Sequence, residues 1–217
     1  MDIEQARLNM IEQQIRPWEV LDMKVLNLLN EIHREDFMPD EYKALSFTDM
    51  RIPIGHGQTT MTPKVEARLL QSLSLNGNEV VLEVGTGCAY LASLIAKSAK
   101  QVKRIDIYPD FTSSAQDKIV KTGLNNIDFE TADVYDLFEQ AEKYDVIVLT
   151  ASLPKMDERF LNLLNDNGKL FAIIGESPAM EACVYSKQEN NECSKKSLFD
   201  TDLSALIGSE QKEVFEF

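Results

Sequence analysis

The stretch Val80–Tyr90 reads V-V-L-E-V-G-T-G-C-A-Y, and its reading decides the fold. Val80, Val81, Leu82 and Val84 form a β-branched and aliphatic run of the kind buried on both faces of a parallel sheet. The run breaks at Gly85-Thr86-Gly87, and a helical stretch from Ala89 to about Lys97 follows at once. A strand, a glycine turn and a helix N-terminus together present unpaired backbone amides at the positive end of a helix dipole. Such a concavity suits the anionic end of a nucleotide-like cofactor. The pattern is E-x-G-x-G without a third glycine, since Cys88-Ala89-Tyr90 stands where that glycine would be sought. A pyrophosphate needs the third close approach more than a compact cofactor does, so the reading favours S-adenosylmethionine over a dinucleotide. Glu83 lies inside the strand, where a carboxylate is costly without a partner.

Downstream, acids stand at two successive strand ends. Lys103–Tyr108 reads as a second strand ending near Asp106, about 20 residues past the glycines, where nucleotide folds place a carboxylate on ribose hydroxyls. Asp106 could instead cap the following helix, for which Asp110 is the better placed. Ile127–Thr131 is a third strand, and Asp133 follows it as a candidate for the adenine amino group or for a plain turn or cap. Ile107 and Val134, each adjoining one of these acids, are counted with the cofactor site. Tyr144–Ala151 and Lys169–Ile174 read as further buried strands, with a helix marked by Phe160, Leu163 and Leu164 between them. From Gly175 the alternation stops, and Glu181–Gln188 and Lys196–Leu203 read as a hairpin through Asn190-Asn191.

Upstream, Ile3, Leu8, Ile11 and Ile15 make a loose helical stripe that Arg16-Pro17 ends. Asp22 can cap a second helix carrying Val25, Leu29 and Ile32, so the first 35 residues read as a helical lid or as helices packed on the sheet. The loop I-P-I-G-H-G-Q-T-T-M-T-P at 52–63 concentrates turn residues, threonines and one of only two histidines, which suggests a binding loop. Thr62 and Pro63 then open a helix as N-cap and first-turn proline, with Val65, Leu69, Leu70 and Leu73 on its buried face. Asn76-Gly77-Asn78 is expected to stop it.

The 217 residues carry 22 basic and 36 acidic side chains, a formal charge of −14. That balance argues against general nucleic-acid binding, which needs a positive footprint. Three cysteines without metal-ligand spacing point to a reducing compartment and to no metal site. The acidic start lacks a signal-peptide pattern, and no apolar run approaches the roughly 18–20 residues of a membrane span, so a cytoplasmic protein is expected.

The loop I-P-I-G-H-G-Q-T at 52–59, V-L-E-V-G-T-G at 81–87, Y-D-V-I-V-L-T-A at 144–151 and E-D-F-M-P-D-E-Y at 35–42 together resemble protein-L-isoaspartate O-methyltransferases. The likeness spans about residues 5–175, and the loop is its specific part. The resemblance implies an α/β fold: a seven-stranded class I (Rossmann-like) methyltransferase sheet with an antiparallel C-terminal edge and an N-terminal helical segment. It implies one domain over 1–217, divided into a helical segment and substrate loop (1–60), a cofactor core (61–175) and a C-terminal strand pair (176–217). It also implies S-adenosyl-L-methionine as cofactor and repair of isoaspartyl residues in damaged proteins; a monomer without membrane or nucleic-acid partners is expected. By resemblance Glu83, Gly85, Thr86 and Gly87 line the methionine end, Asp106 the ribose and Asp133 the adenine. Ala89 stands at a usual family glycine, in what is expected to be a helical first turn.

On the acceptor side Ile54, Gly55, His56 and Met61 belong to the substrate loop, and Thr59 and Thr60 are the catalytic candidates. Met61 stands where the family has a serine regarded as important for catalysis, and a thioether donates no hydrogen bond. His56 reads better as a structural hydrogen-bonder than as a base, because a carboxylate acceptor is already ionised at neutral pH. Around Ser197–Asp202 the chain is acidic where the family is mostly apolar. The departures keep two alternatives in view: a methyltransferase with another acceptor, and a cofactor-binding protein without isoaspartyl activity.

Overall fold

The computed structural model describes residues 2–85 and 87–209. Among them seven strands form one sheet: β3 (Val80–Val84), β4 (Gln101–Asp106), β5 (Ile127–Thr131), β6 (Tyr144–Leu153), β7 (Leu164–Glu176), β8 (Ala179–Lys187) and β9 (Cys193–Thr201), in the order β5-β4-β3-β6-β7-β8-β9. The strands from β5 to β7 are parallel, and β8 and β9 run antiparallel at the edge. The chain winds outward through β3, β4 and β5 and then returns to β6 on the other side of β3. A crevice opens at such a reversal, beyond the carboxyl ends of the strands, and the glycine turn after β3 lies there.

The period-2 alternation of the strands sorts their residues into two cores. Val81, Val102, Val146, Val148, Phe171 and Ile173 join one. Leu82, Ile105, Ile147, Leu149, Leu170 and Ala172 join the other. The first core is covered by α1 (Ile3–Met10), α2 (Met23–Glu31), α3 (Pro63–Leu73), α4 (Tyr90–Ala96) and α5 (Pro109–Thr122), through residues such as Met10, Leu26, Leu69, Leu94 and Ile119. The second is closed by the 3-10 turn Val134–Glu139 and by the short α6 (Glu158–Asn162), through Leu137 and Phe160. The N-terminal helices are thus part of the core layer, with Ile15 and Leu29 essentially inaccessible. Two short strands, β1 (Pro53–Gly55) and β2 (Gln58–Thr59), pair antiparallel and shape the 52–63 loop into a hairpin.

Several local expectations shift. The first helix widens into a π-type turn over Ile11–Ile15 and ends there, with Arg16-Pro17 opening a separate 3-10 turn through Trp18, where Glu19 turns left-handed. Asp22 caps α2 as expected, accepting the Lys24 amide. Thr62 precedes α3 without a side-chain cap bond, leaving Pro63 as the starting signal. That helix stops at Leu73, with Ser74 left-handed, whereas Asn76, Gly77 and Asn78 donate their amides to the Glu79 carboxylate in a separate turn. Ala89 is not in a helical first turn: its φ is +75°, a left-handed conformation that a glycine adopts without the Cβ clash.

Candidate active site

At the switch point β3 ends in Gly85, whose φ is +94°. A Cβ built there would lie 2.2 Å from Thr150 Oγ1, so only glycine fits. Thr150, in β6, donates to the carbonyls of Val84 (2.8 Å) and Gly85 (3.1 Å) and so locks the turn from the neighbouring strand. Beyond the turn, Asp106 closes the loop geometry. One oxygen accepts the Gly87 amide at 3.3 Å and the other accepts the Tyr108 amide at 2.9 Å. Asp106 thus holds the Tyr108 amide just before α5, while Asp110 accepts backbone amides in the helix's first turn, and no side chain caps α5 at Tyr108. The Asp133 carboxylate accepts the Tyr135 amide at 3.0 Å and caps the 3-10 turn after β5.

Gly85, Gly87, Asp106, Ile107, Asp133 and Val134 line one open cleft, together with Ile54 and Thr59 from the hairpin. Thr86 was singled out with these residues and lies outside those described. Tyr108 and Phe111 add an aromatic side to the cleft, and Ala205, Leu206 and Ile207 close another. The last three come from a segment that runs beside the end of β6: Ser152 and Ala205 form a parallel bridge, and the Leu206 amide donates to the Ser152 carbonyl at 2.8 Å. No sequence signal marks this wall, because residues 205–207 lie past the last strand read from the sequence and are too few to show a pattern of their own.

Next to the cleft is a second hollow, walled by Thr59, Thr60, Met61, Glu66, Glu83 and Tyr90 among others. Glu83 lies here because alternation turns it to the helical side of the sheet, where Arg104, its register partner on β4, sits 2.7 Å away. Burial nevertheless raises Glu83 to about 7, with Arg104 opposing the rise. A second buried pair, unanticipated from sequence, organises the base of the hairpin. Arg34 is 1 % exposed and sits 3.0 Å from Glu66 Oε2. It also donates to the carbonyls of Ser46 (3.0 Å) and Met61 (2.9 Å) and to Thr60 Oγ1 (3.3 Å). Thr60 Oγ1 further accepts the Ile52 amide at 3.1 Å, so this side chain ties the hairpin base together. The Thr59 hydroxyl is buried, has no hydrogen-bond partner among the described residues, and borders both the cleft and the hollow.

His56 sits at the hairpin tip with φ +50°. Its ring stacks on Tyr108 at 4.0 Å and its Nε2 lies 2.8 Å from Asp110. The His56 hydrogen bond holds the Asp110 carboxyl below its ordinary range. Gly55 packs toward Phe111 of α5. Histidine and glycine therefore fasten the hairpin to α5, and neither borders the cleft. Asp202, from the acidic segment, is taken by Arg51 at 2.9 Å.

The family model for protein-L-isoaspartate(D-aspartate) O-methyltransferase matches residues 5–211. A protein-L-isoaspartate O-methyltransferase of a Picosynechococcus species is 32% identical over 169 residues, covering 78% of this chain and 76% of the relative. The protein-L-isoaspartate O-methyltransferase 2 of Nitrosococcus oceani is 27% identical over 193 residues, covering 89% and 88%. Among solved structures, a Plasmodium falciparum protein described as a protein-L-isoaspartate O-methyltransferase, in complex with S-adenosyl-L-homocysteine, superposes with a TM-score of 0.78 at 20% identity, covering 95% of this chain and 98% of that one. That likeness is one of fold. Among the described residues no helix is long and apolar enough to cross a membrane.

Proposed function

We propose that this chain, which belongs to the protein-L-isoaspartate(D-aspartate) O-methyltransferase family, methylates the free α-carboxylate of L-isoaspartyl residues in damaged proteins, using S-adenosylmethionine in a cytoplasmic setting. The observation that carries the reading is the convergence of Gly85, Gly87, Asp106 and Asp133 on one cleft that the hairpin residues Ile54 and Thr59 also enter. The residues fit the cofactor: a glycine turn that admits no Cβ at Gly85, a buried carboxylate at the end of β4 (Asp106), a half-buried one just past β5 (Asp133), and apolar walls from Ile107 and Val134. Asp106 and Asp133 would accept hydroxyl and amino hydrogens, and the turn after β3 would receive the methionine end.

When bound, the cofactor supplies an activated methyl group on a sulfonium sulfur. The chain need not supply a base, since a carboxylate of ordinary pKa is already ionised at neutral pH. Its task is alignment and exclusion of water. Thr59 suits the first role, because its unpartnered hydroxyl can donate to an acceptor carboxylate that approaches from the second hollow. Thr60 serves behind it, holding the hairpin through Ile52 and Arg34.

A second reading has one observation behind it. Met61 is 6 % exposed and walls the hollow where the family serine would stand, so the acceptor there meets a thioether. An acceptor other than isoaspartate would suit that apolar wall. The deciding experiment is methyl transfer from labelled S-adenosylmethionine to an isoaspartyl peptide beside the same peptide with normal aspartate. Base-labile label on the isoaspartyl peptide alone is expected. Cofactor binding by calorimetry without any transfer would favour the second reading.

A further inference from the structure

The cleft continues past the cofactor walls. Gly87, Ile54 and Phe111 also border a hollow that reaches Ser114 and Lys118, and Lys118 in turn borders a cleft shared with Lys43, Lys97 and Lys121. Phe111, Ser114, Lys118 and Lys121 follow one another at spacings of three, four and three along α5, so they form a single stripe on that helix. At 1.5 Å per residue the stripe carries Lys118 about 10 Å and Lys121 about 15 Å beyond Phe111.

Four lysines in one cleft stand against the charge of the whole chain, which is −14. Two are engaged, Lys97 with Glu31 at 2.6 Å and Lys43 with Asp40 at 2.7 Å. The remaining acid on the cleft, Asp36, faces His33 at 3.9 Å. Lys118 donates to the Phe37 carbonyl at 2.8 Å, and among the described residues neither it nor Lys121 has a carboxylate within ion-pair distance. Burial, and the nearby charges of Lys121, Arg104 and Lys43, pull Lys118 below the usual lysine range. A second anion entering the cleft would relieve that repulsion.

We propose that this lysine cleft seats acidic side chains of the acceptor polypeptide, about three to five residues along an extended chain from the methylated carboxylate. The inference rests on the reading that the acceptor is a polypeptide, and it adds a sequence preference to that reading. An acidic segment would be repelled by the rest of the surface, so a local positive stripe leading from the site selects where it lies.

The test is direct binding by fluorescence anisotropy, with saturating S-adenosylhomocysteine and two labelled isoaspartyl peptides. One carries glutamates at the third and fourth positions on both flanks, and the other carries glutamines there. The glutamate peptide is expected to bind about three- to ten-fold tighter at about 50 mM salt, the sum of a few exposed ion pairs, and to lose most of that advantage at about 0.5 M. The Lys118→Gln/Lys121→Gln variant is expected to bind the two peptides alike. Should that variant melt abnormally, Lys121→Glu alone, at an exposed position, is expected to reverse the preference. Equal binding to the unmodified protein, or a preference that survives in the variants, would overturn the proposal. Methyl transfer to the glutamine peptide tests the activity separately, and its failure would leave the binding comparison to decide the cleft.

Discussion

Asp106 illustrates how a single side chain serves two purposes. Its two oxygens take the amides of Gly87 and Tyr108, so it fixes both sides of the cleft even before any ligand arrives. Asp106→Ala is therefore expected to weaken S-adenosylmethionine binding by about 1–3 kcal/mol, the cost of unpaired buried partners, measured by calorimetry. Unchanged affinity would place the cofactor elsewhere. Met61 bears on the other substrate. Met61→Ser is expected to leave cofactor affinity nearly unchanged and to raise turnover of an isoaspartyl peptide by about tenfold, the scale of one hydrogen bond in a buried site. A fall in turnover would show that the thioether itself is matched to the acceptor.

The β1–β2 hairpin, where the acceptor is proposed to sit, is held as an element by Arg34 from behind. Arg34 binds Glu66 of α3 and, with the same guanidinium, the carbonyl of Met61 and the hydroxyl of Thr60. Removing one partner of a buried pair leaves an uncompensated charge, so Arg34→Leu is expected to cost about 3–5 kcal/mol in denaturant unfolding. The Arg34→Leu/Glu66→Leu double variant is expected to recover much of that while the hairpin stays loose, seen as a raised KM for the acceptor. Between β3 and β4 the pair Glu83–Arg104 acts on pH dependence. Because the folded-state pKa of Glu83 is raised from 4.5 to about 7, the folded protein holds a proton that the unfolded chain has lost across that window. Its contribution to stability is complete below about 4.5 and is lost as pH rises through about 7, on the order of a few kcal/mol. Glu83→Gln should flatten the decline of Tm between those limits, and an identical slope in the variant would refute the assignment.

Over the whole molecule, the excess of 36 acids over 22 bases makes the compact state repel itself. Raising salt from about 10 mM to about 0.3 M is expected to stabilise it by about 1 kcal/mol, or about 2–4 °C in Tm for a chain of this size. A flat Tm would mean that ion pairs such as Lys103 with Glu130 and Glu142 have already neutralised the repulsion locally.

The fold was legible at this scale because alternation, glycine turns and strand-end acids are local signals, and they place Val81 and Leu82 on opposite cores without any long-range information. The site was legible only where its residues belong to those signals. Arg34 could not be read, since a lone arginine before an acidic run looks like a solvated turn until Glu66 and Thr60 are brought to it. Ala89 was misread because a left-handed φ leaves no mark when the residue is not glycine. The wall at 205–207 was missed because it depends on one edge meeting Ser152.

That wall has a consequence in time. Residues 205–207 leave the ribosome about 50 residues after Thr150, and domains fold as units during synthesis. The glycine turn and its clamp are therefore synthesised long before the residues that close the cleft, and the last side is supplied only once β7, β8, β9 and the segment beyond them have emerged and docked on Ser152.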